Sequence, residues 1–178
     1  MTEQKLYNCL EIPGSFLVPG FSIYVLEIKK EQEKWFYIGM TGDPHYPSAR
    51  AAFHRISGHL ELNRRSTQNQ LMIALKKLDI EDAEDFKKIT IKMYHYPIAG
   101  FKKITDKLLN NETVKQLKPT DEYKSYKTVQ KKVLELENAL IFRLKDKLLN
   151  KTKGLTPKPN EIPYPEIYNS IIKLVNNE

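Results

Sequence analysis

Two short apolar runs near the start of the chain constrain its fold most strongly. The runs SIYVLEI (residues 22–28) and WFYIGMT (residues 35–41) are separated by the charged segment KKEQEK. Apolar runs of this length, rich in β-branched and aromatic residues and joined by a short polar link, predict a β-hairpin. With the turn centred near residues 30–31, Tyr24 and Tyr37 fall opposite each other. Their phenols are therefore expected side by side on one face.

The first strand carries apolar side chains on both faces, which predicts a central position in the sheet. One face is expected to hold Phe21, Ile23 and Val25, and the other Tyr24, Leu26 and Ile28. A third strand is predicted at residues 89–94, where apolar and polar residues alternate until Pro97 ends the run.

Apolar residues at three- and four-residue spacing predict helices between and after these strands. The helices are expected at residues 47–62, 66–78, 102–109 and 123–148, with a mobile link at 110–121. The order β-β-α-α-β-α predicts the α+β class, with a small three-stranded antiparallel sheet flanked by helices.

The length of 178 residues favours one domain with appended ends. Residues 1–20 are expected to form an irregular N-terminal segment, and residues 21–150 the domain itself. Four prolines mark residues 151–178 as an extended tail, and its short terminal helix is expected to pack on the same domain.

Net charge and cysteine content indicate which binding partners and which cellular compartment suit this protein. A net charge of +7 favours an anionic partner, with nucleic acid ahead of a membrane surface. A single cysteine excludes an internal disulfide and a cysteine-based zinc site, which suits a reducing cytoplasm. No apolar run approaches the roughly 18 residues that predict a transmembrane helix. We therefore expect a soluble cytoplasmic protein. The chain lacks phosphate-loop, dinucleotide and HExxH motifs, which argues against a nucleotide-binding enzyme or a zinc peptidase of those types.

The first helix offers an Arg–His pair suited to a phosphodiester. Arg50 and His54 are four residues apart and are expected to share a helical face. Arginine can hold phosphate oxygens with its planar fork, and histidine can donate to an oxygen or move a proton. Arg55 is the alternative arginine. A solvated helix face remains the other interpretation of the pair.

The long helix supplies a candidate acid. Glu135 follows Lys131 by four residues, an ion-pair spacing typical of a solvated face. Glu137 has Val133 behind it and Leu140 ahead of it, so it lies at or beside the buried stripe. A carboxylate there is costly unless it is paired or holds a metal. Glu137 is therefore the functional candidate, with a solvent-directed helix-edge glutamate as the other reading.

Together these residues resemble the GIY-YIG nuclease family over roughly residues 21–150. The sequence reads SIY at residues 22–24 and YIG at residues 37–39 for the two name-giving motifs. Ser22 replaces the first glycine, and Gly39 is retained. Asn150 is similar to the family's late asparagine.

The resemblance implies a metal-dependent DNA endonuclease of restriction or repair type. It implies that Tyr24 and Tyr37 face the attacking water and the scissile phosphate, that Gly39 keeps the approach open, and that Arg50 binds the phosphate. Tyr24 would be the base or water-orienting group, helped by His54. Glu137 would be the sole direct protein ligand of one Mg²⁺ or Mn²⁺.

Duplex or branched DNA is the expected partner, and the oligomeric state is left open. The residues expected to hold the DNA backbone are Arg55, Arg64, Arg65, Lys102 and Lys103. The alternative function is a catalytically inactive nucleic-acid-binding module with the same fold. That alternative would be supported if Tyr24 or Glu137 pointed away from a common cleft.

Overall fold

The computed structural model describes residues 9–60, 70–150 and 161–177. Its strands are β1 (Gly20–Lys30), β2 (Glu33–Met40) and β3 (Ile89–Gly100). Its α-helices are α1 (Ala52–Leu60), α2 (Gln70–Leu75), α3 (Ala83–Phe86), α4 (Asn111–Leu117), α5 (Asp121–Leu144) and α6 (Pro165–Asn176). Short 3-10 turns lie at Gly14–Leu17, Lys76–Leu78 and Lys145–Lys147.

The three strands form one antiparallel sheet in the order β2-β1-β3. This arrangement confirms the predicted α+β fold and the central position of the first strand. β3 is longer than predicted and continues past Pro97 to Gly100. It lies at the edge of the sheet, and a bulge between Phe21 and Ser22 of β1 accompanies its proline-containing end. An edge position or a bulge is where a strand tolerates a residue without an N–H group.

The hairpin between β1 and β2 has a register different from the predicted one. Tyr24 pairs with Gly39, and Tyr37 pairs with Leu26, so the two tyrosines share a face but are not direct partners. The turn is centred one residue later than predicted, because Lys30 pairs with Glu33 across a two-residue loop. Glu31 in this loop has φ of 55°. Tight hairpin turns require such left-handed residues.

Both faces of the sheet are buried, as the alternation along β1 predicted. Phe21, Ile23 and Val25 pack in one hydrophobic cluster with residues of α5 and α6. The other face, called here the tyrosine face, is built around Tyr24, Leu26, Ile28 and Tyr37, and it packs with residues of α1 and α2.

The outer edge of β2 is covered by the segment that follows α5. Leu148 forms a parallel bridge with Phe36, and the Leu149 N–H donates to the Phe36 carbonyl at 2.8 Å. This contact satisfies backbone groups that an open edge strand would leave to solvent or to another chain. It also sets where the following residue, Asn150, meets β2.

Several helix boundaries differ from the predicted ones. α1 begins at Ala52, because residues 43–48 form a loop closed by a hydrogen bond from the Asp43 N–H to the Ser48 carbonyl. Residues 102–109 contain no helix, whereas the predicted link at 110–121 contains α4. Asn110 caps α4, since its side chain accepts a hydrogen bond from the Thr113 N–H.

The C-terminal helix packs on the rest of the fold. Ile171 and Val175 of α6 are buried in the cluster that contains Val133 and Leu136 of α5. The predicted terminal helix is thus present, although residues 151–160 lie outside the described part of the chain. Among the described helices, none has both the length and the apolar character needed to cross a bilayer.

Candidate active site

Tyr24 and Tyr37 are buried diagonal neighbours on the tyrosine face. A β-carbon added to Gly39 would lie 2.3 Å from both Cζ and the hydroxyl oxygen of Tyr24. Any larger residue at that position would therefore collide with the tyrosine ring. In this structure Gly39 makes room for Tyr24 itself.

Arg55, on α1, is the arginine that reaches the tyrosines. Its guanidinium hydrogen-bonds the Tyr24 hydroxyl, and its charge acts on Tyr37 and Glu137. Burial raises the pKa of Tyr24 well above its ordinary value and the pKa of Tyr37 to about 12, and Arg55 opposes both shifts. Both phenols are therefore protonated at neutral pH. They can donate hydrogen bonds, but neither serves as a ready phenolate base.

The favoured pair Arg50 and His54 lies outside this cluster. Both residues are exposed, and Arg50 Nη1 lies 3.3 Å from His54 Nε2. Arg50 precedes the first residue of α1, so the two do not share a helical face as predicted. The structure thus favours the alternative arginine, Arg55, as the one next to the tyrosines.

His59 is the site residue that the sequence interpretation missed. It is buried on α1, and its ring centroid lies 6.3 Å from that of Tyr24 and 5.8 Å from that of Tyr37. Arg55 and His59 are four residues apart, as are Arg50 and His54. The burial of Ala52 and Ile56 on α1 shows that the Arg55–His59 pair is the one that turns inward, and the spacing alone does not give this.

Glu137 reaches the same site from α5. Its carboxylate accepts a hydrogen bond from the Met40 N–H at the end of β2. Burial raises the pKa of Glu137 to about 7, while Arg55 and the Met40 hydrogen bond oppose the rise. Glu135, by contrast, lies 3.9 Å from Lys131 in a solvated i,i+4 pair. The predicted distinction between these two glutamates agrees with their surroundings.

A small cavity of about 40 Å³ opens beside Arg55. It is lined by Met40, Thr41, Gly42, Asp43, Ser48, Arg50 and Arg55. A volume of this size can hold a water molecule, and its polar lining can bind one. Arg50 therefore borders the site, although it does not reach the tyrosines.

The loop that walls this cavity is held by Tyr126 of α5. The Tyr126 hydroxyl lies 2.7 Å, 3.2 Å and 3.0 Å from the carbonyl oxygens of Asp43, Tyr46 and Ser48. The hydroxyl has one hydrogen to donate, so it donates to one of these carbonyls at a time. α5 thus supplies both Glu137 and the group that positions the facing loop.

The remaining motif residues have structural contacts. The Ser22 N–H donates to Thr41 Oγ1 at 2.8 Å, and the two hydroxyls are 3.1 Å apart in a buried pair. Ser22 therefore joins the start of β1 to the residue that follows β2. The Asn150 side chain accepts from the Ile38 N–H at 2.8 Å and donates to the Ile38 carbonyl at 2.7 Å. The Asn150 side chain thus pairs with the backbone of the edge strand β2 as a neighbouring strand would.

Of the other residues expected to hold DNA, Lys102 and Lys103 lie in the described part of the chain. Arg64 and Arg65 lie outside the described residues. Lys102 and Lys103 are exposed after β3, and Lys103 Nζ lies 2.7 Å from Asp106 Oδ1.

The residues present are compatible with a single divalent ion at Glu137. Within the described parts of the chain, no group of three or more carboxylate, histidine or cysteine side chains could hold a metal. Mg²⁺ does not need such a group, because it retains several waters and is often bound by one or two carboxylates plus substrate phosphate. A cation beside Glu137 would also offset the burial that raises the pKa of this carboxyl.

Comparisons of the chain with protein-family models, curated proteins and solved structures found no match. The resemblance to GIY-YIG nucleases therefore stays a prediction, based on the motifs in the sequence.

Proposed function

We propose that this protein is a metal-dependent DNA endonuclease of the GIY-YIG type. The observation that supports the proposal is the convergence of Tyr24, Tyr37, Arg55 and Glu137, which come from two strands and two helices. Burying two phenols beside a half-buried guanidinium and a half-buried carboxylate costs free energy that packing alone does not require. Such clusters of perturbed groups concentrate at functional sites.

Arg55 takes the phosphate-binding role in this proposal. Its guanidinium can bind a phosphate oxygen and offset the negative charge that gathers there during attack by water. Arg50 borders the same cavity and contacts the adjoining phosphate. The order of importance proposed for the two arginines is thus the reverse of the one expected from the sequence.

The tyrosines act as hydrogen-bond donors. With a pKa of about 12, Tyr37 keeps its proton at neutral pH and can donate to the phosphate or to the attacking water. Tyr24 keeps its proton as well, and its oxygen is fixed by Arg55. A tyrosine in this state orients water and does not deprotonate it.

His59 is placed to handle a proton at the site. Its ring lies beside both tyrosines, at centroid distances of 6.3 Å from Tyr24 and 5.8 Å from Tyr37. A neutral imidazole can accept a proton from the attacking water as the new phosphorus–oxygen bond forms. The phosphorus bond to the sugar oxygen then breaks, and that oxygen takes up a proton from water to leave as a hydroxyl. His59 takes over the helping role first given to His54.

Glu137 would hold the metal ion. When bound, a divalent ion supplies positive charge to the phosphate oxygens and lowers the pKa of its own water. Glu137 must be ionised to bind it, so the raised pKa makes metal binding and activity depend on pH near neutrality. Its hydrogen bond to the Met40 N–H fixes the orientation of the carboxylate.

The DNA backbone is held by basic residues around the site. Arg64, Arg65, Lys102 and Lys103 remain candidates for this contact, which would make affinity fall as salt rises. The expected compartment is the reducing cytoplasm, which suits the single exposed cysteine, Cys9.

The proposal is tested by incubating supercoiled plasmid and branched DNA with the wild-type chain and with Tyr24→Phe. Each protein is assayed with Mg²⁺, with Mn²⁺ and with EDTA. We expect metal-dependent cutting by the wild type that falls at least about 100-fold in Tyr24→Phe, the effect typical of losing one transition-state donor. Salt-sensitive DNA binding without cutting would instead identify the catalytically inactive binding module.

A further inference from the structure

A trough of about 740 Å³ lies beside the candidate active site. This side trough is defined by Tyr46, Arg50, Phe101, Lys103, Lys107 and Leu108. It shares Asp43, Ser48 and Arg50 with the small cavity beside Arg55, so a polymer in one continues into the other. Its volume is within the range of about 300–1,000 Å³ typical of sites for small organic ligands.

The side trough has a small excess of positive charge, with Arg50, Lys103 and Lys107 against Asp43 and Asp106. Of its two acidic residues, Asp43 accepts hydrogen bonds from the backbone N–H groups of residues 45 and 46, and Asp106 pairs with Lys103. Within the described residues, neither Arg50 nor Lys107 contacts a carboxylate. These two cations can therefore meet phosphates.

Apolar side chains line the same trough. Leu108 is 82% exposed there, in a segment that makes no helix. The ring of Phe101 is fixed by edge contacts with Phe21 and Tyr126, at centroid distances of 6.3 Å and 5.9 Å. A rigid aromatic ring, an exposed leucine and nearby cations provide contacts for bases and phosphates together.

We propose that the side trough binds an unpaired strand of nucleic acid that continues from the scissile phosphate. This proposal rests on the nuclease function and narrows its substrate to DNA with a single-stranded flank. In a duplex the base faces are stacked inside, so Phe101 and Leu108 would have only base edges and backbone to contact. An unpaired base exposes its face to them.

The test is fluorescence anisotropy in EDTA, where no cutting interferes, with labelled oligothymidine and with a blunt duplex of the same length. Leu108→Ser is compared with Phe142→Ser, since Phe142 is an exposed apolar residue of α5 outside the trough. Lys107→Ala is compared with Lys173→Ala, since Lys173 is an exposed cation of α6 outside it.

We expect Leu108→Ser to weaken oligothymidine binding about fivefold, the equivalent of one weak base contact, with duplex binding unchanged. Lys107→Ala should reduce the slope of log affinity against log salt by about 0.7, the loss of one phosphate contact on a single strand. Both controls should behave as the wild type does.

Equal oligothymidine binding by the trough variants and their controls would overturn the proposal. So would an equal loss of duplex and single-strand affinity in Leu108→Ser. Because the assay needs no metal, a loss of oligothymidine affinity confined to the trough variants would support single-strand binding in the side trough even if the chain did not cut DNA. Conversely, if the wild type cuts DNA but the trough variants bind oligothymidine normally, the nuclease function is retained and the proposed role of the side trough is rejected.

Discussion

Tyr24 of β1 lies directly over Gly39 of β2, so closely that the ring occupies the space a side chain would need. This contact places the Tyr24 hydroxyl where Arg55 can reach it from α1. β1 and β2 are therefore linked at the candidate site by one steric requirement, which can be tested independently of any activity.

The first prediction concerns Gly39→Ala. A β-carbon 2.3 Å from the Tyr24 ring must displace it, so we expect a loss of about 1–3 kcal/mol in the free energy of unfolding, measured by urea titration. Tyr24→Leu removes the obstructing ring atoms. In that background Gly39→Ala should cost clearly less, and an unchanged cost would contradict the proposed contact.

The second prediction concerns the pH dependence of stability. The pKa of Glu137 is raised from 4.5 to about 7 on folding, which corresponds to about 3 kcal/mol. Below pH 4.5 both states carry the proton, whereas between 4.5 and 7 only the folded state retains it. Stability should therefore fall as pH rises through this window, with the full penalty present above pH 7.

Glu137→Gln removes this titration, so its stability advantage over the wild type should grow from pH 5 to pH 8. Glu135→Gln is the matched control and should track the wild type, because Glu135 is in a solvated pair. Urea unfolding at several pH values without metal provides the measurement. A parallel pH profile for the wild type and Glu137→Gln would show that burial does not perturb this carboxyl.

The third prediction separates the two arginines. Arg55→Ala removes the guanidinium next to Tyr24 and Glu137, so single-turnover cleavage should slow by about 100-fold or more. Arg50→Ala removes a residue at the rim of the cavity and should slow cleavage by less than about tenfold. The reverse order would return the catalytic role to Arg50 and remove it from Arg55.

The fourth prediction concerns Asn150. Its amide pairs with both backbone groups of Ile38, so Asn150→Ala should destabilise the fold by about 1–3 kcal/mol. Asn150→Asp retains an acceptor for the Ile38 N–H but provides no donor for the carbonyl. Its cost in thermal unfolding should be intermediate. No loss of stability in either variant would contradict a stabilising role for the pairing of Asn150 with the backbone of β2.

The faces of the sheet and the position of Glu137 beside the buried stripe of α5 were predictable because they depend on local patterns. Alternation along β1 reports burial on both sides, and the residues one turn either side of Glu137 are apolar. The hairpin register was not predictable from the runs alone. The register depends on the left-handed conformation of Glu31 in the turn. Glutamate, unlike glycine or asparagine, does not mark a left-handed turn position in a sequence.

The choice between Arg50 and Arg55 depends on where α1 begins. That point is set by the loop at residues 43–48, which Tyr126 holds from far along the chain. Helical spacing fits both Arg–His pairs, so the spacing does not reveal which pair faces the sheet. The burial of Ala52 and Ile56 decides it, and that is a tertiary property.

The most direct test of the proposed nuclease site is single-turnover cleavage of labelled DNA in Mg²⁺ by Glu137→Gln and Glu135→Gln. The two variants make the same chemical change two residues apart on α5. We expect Glu137→Gln to abolish cutting and Glu135→Gln to cut within about twofold of the wild type, since surface changes away from a site have small effects. Cleavage by Glu137→Gln at the wild-type rate would contradict the proposed site.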